Sequence, residues 1–409
     1  MTLKLFDKFN FVIFLCTISL VSIGLLAIYS ATHGIPEVSG NFYKQFIFAV
    51  IGSVIVITIT FLPPKYFSMS AYILYGLNVL LLILVLLVGK KISGSTSWFS
   101  IGGFGIQPSE FAKFTTILAL ANYLTGKQIE TDITKPRDFF IAILIGLFPF
   151  FLITLQPDMG TSLVFLAFLL PVLYWAGMPN FILFVILAPV LSAVCAFLGT
   201  YYFIASLSAI LFLLYLFKKN ILVSTLVFSS AILSGLSVNF IYNKLQPYQQ
   251  KRIMALFNPE SDALGAGWNV IQSKVAIGSG GFWGKGFMQG TQTQLKFIPE
   301  QWTDFIFCMV GEEFGFIGSI IVLILFLSLI WQTINVAYLC KNKFLSICCI
   351  GFVTIFLIHM LINLGMSMGI MPVIGIPLPF MSYGVSFLLS NLCMIGLILN
   401  AYKNRKEYT

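Results

Sequence analysis

The sequence predicts an all-α polytopic membrane protein of about twelve transmembrane helices, with a large extracytoplasmic loop carrying short helices. Three observations lead there. Of the 409 residues, 59% are hydrophobic and 9% charged, whereas soluble domains run at ~45–50% apolar and ~25% charged. Apolar runs near the ~20 residues that cross a bilayer recur along the whole chain. Basic residues gather in alternate connections. This composition excludes a soluble enzyme, a disordered chain and a secreted disulfide scaffold. The net charge of +9 reads as an orientation signal, and no nucleic-acid partner is expected.

In order, the spans fall near 11–30, 45–62, 70–88, 108–124, 138–155, 160–176, 180–199, 202–217, 221–242, 304–334, 344–366 and 381–401. The run from Phe11 to Tyr29 is of spanning length and lacks a small-residue cleavage site, so it is not a cleavable signal. With the N-terminus inside, the short inner segments carry Lys4, Lys8, Lys65, Lys127, Lys135, Arg137, Lys218, Lys219, Lys341, Lys343, Lys403, Arg405 and Lys406. The short outer loops carry only Lys44, Lys90 and Lys91. That bias places both termini inside and the long 243–303 loop outside. The whole of 1–409 is then one integral membrane domain with 243–303 as its large extracytoplasmic loop. The loop is Gly-rich yet keeps Trp268, Phe282, Trp283, Phe287 and Phe297. Such content argues for short interfacial helices packed on the membrane domain. The cysteines lie in or at the end of apolar runs without metal-binding spacing and read as small buried hydrophobes.

Charge inside a span costs ~2.5–3.5 kcal/mol, so it needs a partner or a cavity. Glu110 and Lys113 share one helix face at i,i+3 and can pair; a structural ion pair and a substrate role are equally open. Asp158 follows Pro157, which ends or kinks its helix, and reads first as the N-cap of the next helix. Asp304 opens the helix after the long loop, either as a cap or first-turn acid or as a base at a water-facing surface. Glu312 lies ~12 Å deeper and reads as structural with Glu313, and His359 as a packing residue. Lys251, Arg252, Lys274, Lys285 and Lys296 in the outer loop, beside Gly-rich backbone, suit a pyrophosphate-bearing ligand. Between Met371 and Phe380 three prolines prevent a continuous helix, and irregular backbone at membrane depth belongs against a cavity. Ser382 either caps the last span or offers a hydrogen bond in that cavity. Discontinuous helices also occur in transporters, which keeps that class open.

The motifs Asn258-Pro259-Glu260-Ser261-Asp262, Gly265-Ala266-Gly267, Gln272-Ser273-Lys274, Gly278-Ser279-Gly280-Gly281, Gly284-Lys285-Gly286, Gly290-Thr291-Gln292 and Pro299 through Phe305 stand in this order. Together they resemble the large outer loop of the SEDS family (shape, elongation, division and sporulation). Trp98 with Gln107-Pro108-Ser109-Glu110, Gln156-Pro157-Asp158, and Pro377-Leu378-Pro379 with Ser382-Tyr383-Gly384 resemble its other signatures. The run Gly290 to Gln294 is closer to the elongation branch than to the division branch. The sequence departs from the family pattern at Ser97, Trp302 and Val385. Relatives commonly have ten spans, which puts a surplus pair between 180 and 242.

The resemblance implies a peptidoglycan glycosyltransferase acting on lipid II in the bacterial cytoplasmic membrane during elongation and shape maintenance. It implies Asp304 as the base that activates the acceptor sugar hydroxyl. It implies substrate contacts from Trp98, Glu110, Lys113, Asp158, Arg252, Lys274, Lys285 and Ser382. No cofactor is required by it, and a divalent cation, magnesium or manganese, is compatible with it. The implied partners are a class B penicillin-binding protein transpeptidase and other elongation-complex membrane proteins. The competing readings are the division-branch glycosyltransferase, a lipid-precursor flippase and a non-catalytic scaffold.

Overall fold

A computed structural model describes residues 9–407, apart from 35, 37, 93–94, 102–103, 127–131, 219 and 260–264. Lys4, Lys8, Lys127 and Lys219 of the inner basic set, and Glu260, Ser261 and Asp262 of the loop motif, lie outside the described residues.

The long helices are α1 (Phe11–Thr32), α2 (Gly40–Phe61), α3 (Pro64–Val88), α4 (Pro108–Thr125), α5 (Pro136–Leu155) and α6 (Met159–Trp175). They continue with α7 (Asn180–Leu198), α8 (Thr200–Phe217) and α9 (Ile221–Lys244). After the short outer helices α10 (Pro247–Phe257), α11 (Ala266–Ser279) and α12 (Thr291–Gln294) come α13 (Ile306–Leu339), α14 (Lys343–Ser367) and α15 (Val385–Lys403). Ten of these helices are long and apolar enough to cross a membrane. Of the other two long ones, α6 is a shorter apolar helix, and α4 is less apolar because it carries Glu110 and Lys113. Every expected span therefore has a helix. Proline at the first turn starts α3, α4 and α5, where its missing N–H is not needed. Asn10 and Asn342 cap α1 and α14 with side-chain oxygens.

Burial ranks the helices. In α14 and α15, 83% and 78% of the spanning window is buried, against 11–17% in α7, α8 and α9. The first two form the axis of the bundle, and the last three stand at its edge. Those edge helices pack on one another through Ala188, Ile210, Leu214, Val227 and Ala231. They occupy the stretch where the surplus pair was expected.

The outer connection between α3 and α4, read from sequence only as a loop, instead holds a three-stranded antiparallel sheet. Its strands are β1 (Lys90–Ile92), β2 (Ser95–Ile101) and β3 (Phe104–Ile106). Lys90 faces Trp98 and Phe99 faces Ile106. The sheet is tied down by Thr96 N–H donating to the Gln156 carbonyl at 3.3 Å. Where β3 leads into α4, Gln107 N–H donates to Ser386 Oγ at 3.2 Å. These contacts bring the sheet, the Asp158 turn and the start of α15 to one end of the bundle.

α13 is broken at Gly315 (φ 65°, ψ −157°). The carbonyls freed there, Glu312 and Glu313, accept from Lys285 and Gly286 N–H at 3.0 Å each. The freed donors, Phe316 and Ile317 N–H, reach the Gly281 and Phe282 carbonyls at 2.9 and 3.3 Å. The Gly-rich loop is thus spliced into the helix, and these four backbone groups are paired at the break as an apolar setting requires. A Cβ on Gly315 would stand 2.3 Å from the Gly284 nitrogen, so only glycine fits.

Candidate active site

Asp304 lies in the turn that delivers the chain from the outer loop into α13. α13 starts at Ile306, with Phe305 in the cap position and no side-chain cap bond. The expectation that Asp304 opens or caps that helix is therefore corrected: its carboxylate is not spent on helix N–H groups. Asp304 Oδ2 instead faces Gly375, where a Cβ would come within 3.2 Å of it. Gly375 has φ +79°, a conformation glycine adopts without cost, so the carboxylate keeps its room.

The backbone of Asp304 is fixed on both sides. Its N–H donates to the Glu300 carbonyl at 3.2 Å, and its carbonyl accepts from Asn363 Nδ2 at 2.8 Å. The same Asn363 amide donates to the Ile376 carbonyl at 2.8 Å. Burial above all, then the Glu300 carboxylate, pushes the Asp304 carboxyl up to about 7; Arg252 pulls it down and Asp158 pushes it up slightly. Glu300 itself sits at φ +53° and Phe380, in the facing segment, at φ +65°. Strained non-glycine backbone of this kind persists only where its surroundings over-determine it.

Ser382 does not cap α15, contrary to one of its two expected roles. The helix starts at Val385 after Gly384, because the chain is still turning at Ser382. Its hydroxyl donates to the Thr303 carbonyl at 2.6 Å and accepts from Leu378 N–H at 2.8 Å. Tyr383 N–H adds a bond to the Trp302 carbonyl at 2.9 Å. The proline-rich segment and the Asp304 turn are thus stitched together, with Gln45 of α2 donating to the Ser382 carbonyl at 3.2 Å.

Asp158 caps α6 as its position suggested, accepting from Thr161 N–H at 3.1 Å and Thr161 Oγ1 at 3.0 Å. It also accepts from Gln107 Nε2 at 2.9 Å. Glu110 and Lys113 pair at 2.7 Å. Lys113 is 1% exposed, and its ammonium also reaches His359 Nε2 at 3.2 Å and the Phe387 ring at 5.2 Å. The charge of Lys113 is thus met inside the bundle by the Glu110 carboxylate, with His359 accepting a second N–H. Lys285 is likewise engaged: it pairs at 2.8 Å with Glu312, which is fully buried. Glu312 also accepts from Gln292 and Thr293 N–H. Both lysines, expected as substrate contacts, stand in ion pairs within the protein.

The charge of Arg252 on α10 acts on Asp304, and Tyr248 lies one turn back under its guanidinium. Lys274 is exposed on α11, whose Val270 and Ala276 share a small core with Phe305 and Val373. Trp98 packs over Gly105 on the sheet. Asp304, Arg252, Asp158, Ser382 and the helix carrying Lys274 thus converge. Trp98 lies on the neighbouring sheet, and Lys113 and Lys285 serve other partners. Sequence reasoning missed Glu300, Gly375 and Asn363; the signal for Asn363 was a second polar residue four places after His359 in an apolar helix.

Among the described residues no three His, Cys, Asp or Glu side chains group closely enough to hold a metal ion. A groove open toward the bilayer runs between α1, α2 and α15, lined by Phe14, Leu25, Phe46, Val50 and Leu392. Its α2 wall continues from Phe46 into Gln45, which holds the Ser382 segment.

A family model described as cell cycle protein, FtsW–RodA–SpoVE, matches residues 10–207 and 181–407. Peptidoglycan glycosyltransferase RodA of Treponema pallidum is 33% identical over 427 residues, covering 96% of this chain and 97% of its own. Stage V sporulation protein E of Bacillus subtilis is 34% identical over 394 residues, covering 94% of each chain. A chain of a peptidoglycan synthase complex, solved to explain how polymerization and crosslinking are coordinated, superposes with a TM-score of 0.71. It is 29% identical and covers 98% of this chain and 99% of that one.

Proposed function

The chain belongs to the FtsW–RodA–SpoVE family of cell cycle proteins, and from that premise we propose that it is a peptidoglycan glycosyltransferase polymerising lipid II during cell elongation. One observation carries the reading: the Asp304 carboxylate is not spent on capping α13 but faces Gly375 from a backbone fixed at both ends, where burial pushes it up to about 7. A sugar hydroxyl is a weak nucleophile, and a positioned base near neutral pH contributes typically ~10²–10⁴-fold.

In this reading Asp304 takes the proton from the acceptor 4-hydroxyl as that oxygen attacks the donor anomeric carbon. The bond to the lipid pyrophosphate breaks, and the pyrophosphate leaves. Arg252 and Lys274 balance its charge, since Lys113 and Lys285 are occupied. Arg252 suits phosphate through its planar fork. The lipid tail lies in the α1–α2–α15 groove, whose outer end meets the Ser382 segment. The positive-inside bias then puts the site on the outer face of the bacterial cytoplasmic membrane, with both termini cytoplasmic. The synthase complex that the fold resembles supports a crosslinking transpeptidase, a class B penicillin-binding protein, as partner.

The test is purified protein in detergent with lipid II. Glycan polymer from the parent and none from Asp304→Asn, with equal amounts of folded protein, is the expected result. Polymer from the variant overturns the assignment of the base. Lipid II flipping in vesicles without polymer in detergent overturns the enzyme reading.

A further inference from the structure

His359 and Asn363 stand one turn apart on one face of α14, the most buried helix of the bundle. Both are buried, at 2% and 0% exposure, and both are polar where the surrounding helix is apolar. Their hydrogen bonds leave the helix and go to the same place. His359 Nδ1 meets the Pro377 carbonyl at 3.0 Å, and Asn363 Nδ2 meets the Ile376 carbonyl and the Asp304 carbonyl, each at 2.8 Å.

Donor and acceptor chemistry fixes how each is oriented. A carbonyl only accepts, so His359 Nδ1 carries the proton, and Nε2 is left to accept from Lys113 at 3.2 Å. Both partners of the Asn363 nitrogen are carbonyls, so its amide cannot be turned over without losing two bonds. Asn363 Oδ1 is correspondingly buried without a partner.

The geometry points to His359 and Asn363 as the positioning residues for Asp304: they clamp the Gly375–Pro377 turn against the base and tie it, through Lys113, to the buried Glu110 pair. The lysine–glutamate pair thereby acts on the reaction through α14 and not on the ligand. Misplacement of a catalytic group by ~1 Å can cost ~10²-fold, and the turn held here is what Asp304 Oδ2 faces. This inference rests on the reading of Asp304 as the base.

The experiment compares His359→Leu, Asn363→Leu and His359→Gln in the detergent polymerisation assay. Glutamine keeps one donor and one acceptor. Both leucine variants should lose kcat by roughly tenfold or more at a KM within about twofold of the parent. Their acid limb should also fall below the parental position near 7, because a released turn lets more water reach the partly open Asp304 while Glu300, Arg252 and Asp158 stay in place. His359→Gln should retain most of the parental rate. Parental kcat and acid limb in the leucine variants, or equal losses in His359→Gln and His359→Leu, overturn the inference. If the leucine variants fail to accumulate, Asn363→Ser and His359→Asn take their place, and an unmoved acid limb in both overturns it. Failure of the underlying reading is seen separately, as an active Asp304→Asn.

Discussion

Asp304→Asn removes the ionisable group from a position where burial and Glu300 hold the carboxyl up to about 7, and two measurements follow from that value. For the parent, a base must be deprotonated to act. A group near 7 is about one-tenth ionised at pH 6 and about nine-tenths at pH 8, so the polymerisation rate should rise roughly tenfold across that interval. An ordinary aspartate would be almost fully ionised at both, and the profile would be flat. The second measurement is stability. Between the ordinary value of 3.8 and about 7 the native state binds more protons at Asp304 than the unfolded state. Its contribution is therefore full below the ordinary value and is lost as pH rises through about 7. Three pH units correspond to a ceiling of about 4 kcal/mol. The side chain is partly open to solvent, which reduces this to about 1–2 kcal/mol. The neutral Asn variant should accordingly be more stable than the parent at pH 8, by a margin that shrinks as pH falls through about 7 and vanishes only below the ordinary value of 3.8, measured by thermal unfolding in detergent. A flat pH–rate profile of the parent, or a stability difference that does not change with pH, refutes the reasoning.

Three further outcomes follow from the same geometry. Lys285→Met leaves fully buried Glu312 without its counter-charge; since Lys285 is a quarter exposed and water can partly substitute, the loss should be about 2–3 kcal/mol, with protease cutting newly seen between 281 and 297. Gly315→Ala drives a Cβ against the Gly284 backbone at a positive φ, and should cost more than about 2 kcal/mol, read as reduced accumulation and faster hydrogen exchange in α13. Ser382→Ala strips the acceptor from buried Leu378 N–H and the donor from Thr303 O; about 1–3 kcal/mol of stability and most of kcat should go, with KM for lipid II nearly unchanged.

Local physics made part of this site legible in advance. Glu110 and Lys113 meet because i,i+3 residues share a helix face, and Asp158 caps α6 because the residue after Pro157 stands where a helix begins. The outer loop folds on the membrane domain as expected, though through aliphatic Val270, Ala276 and Ile298 packed with Phe305 and Val373, while its aromatics stay largely exposed. The strands at 90–106 escaped notice because they are short, and strand formation depends on pairing neighbours more than on intrinsic preference. Ser382 was misassigned because the chain turns for two more residues before α15 begins, which its sequence neighbours do not reveal.

By itself the sequence determined what must be buried in lipid and where the chain crosses it, since length, apolarity and charge bias act on each segment separately. The tertiary structure alone decided the pairings made across the chain. Lys285 goes to Glu312, Lys113 of the Glu110 pair reaches His359, and among the described residues Arg252 is the cation whose charge acts on Asp304. The physical reason is that a charge in a low-dielectric interior must be paired by whatever packing brings near it, and those partners come from helices and loops far apart in the chain.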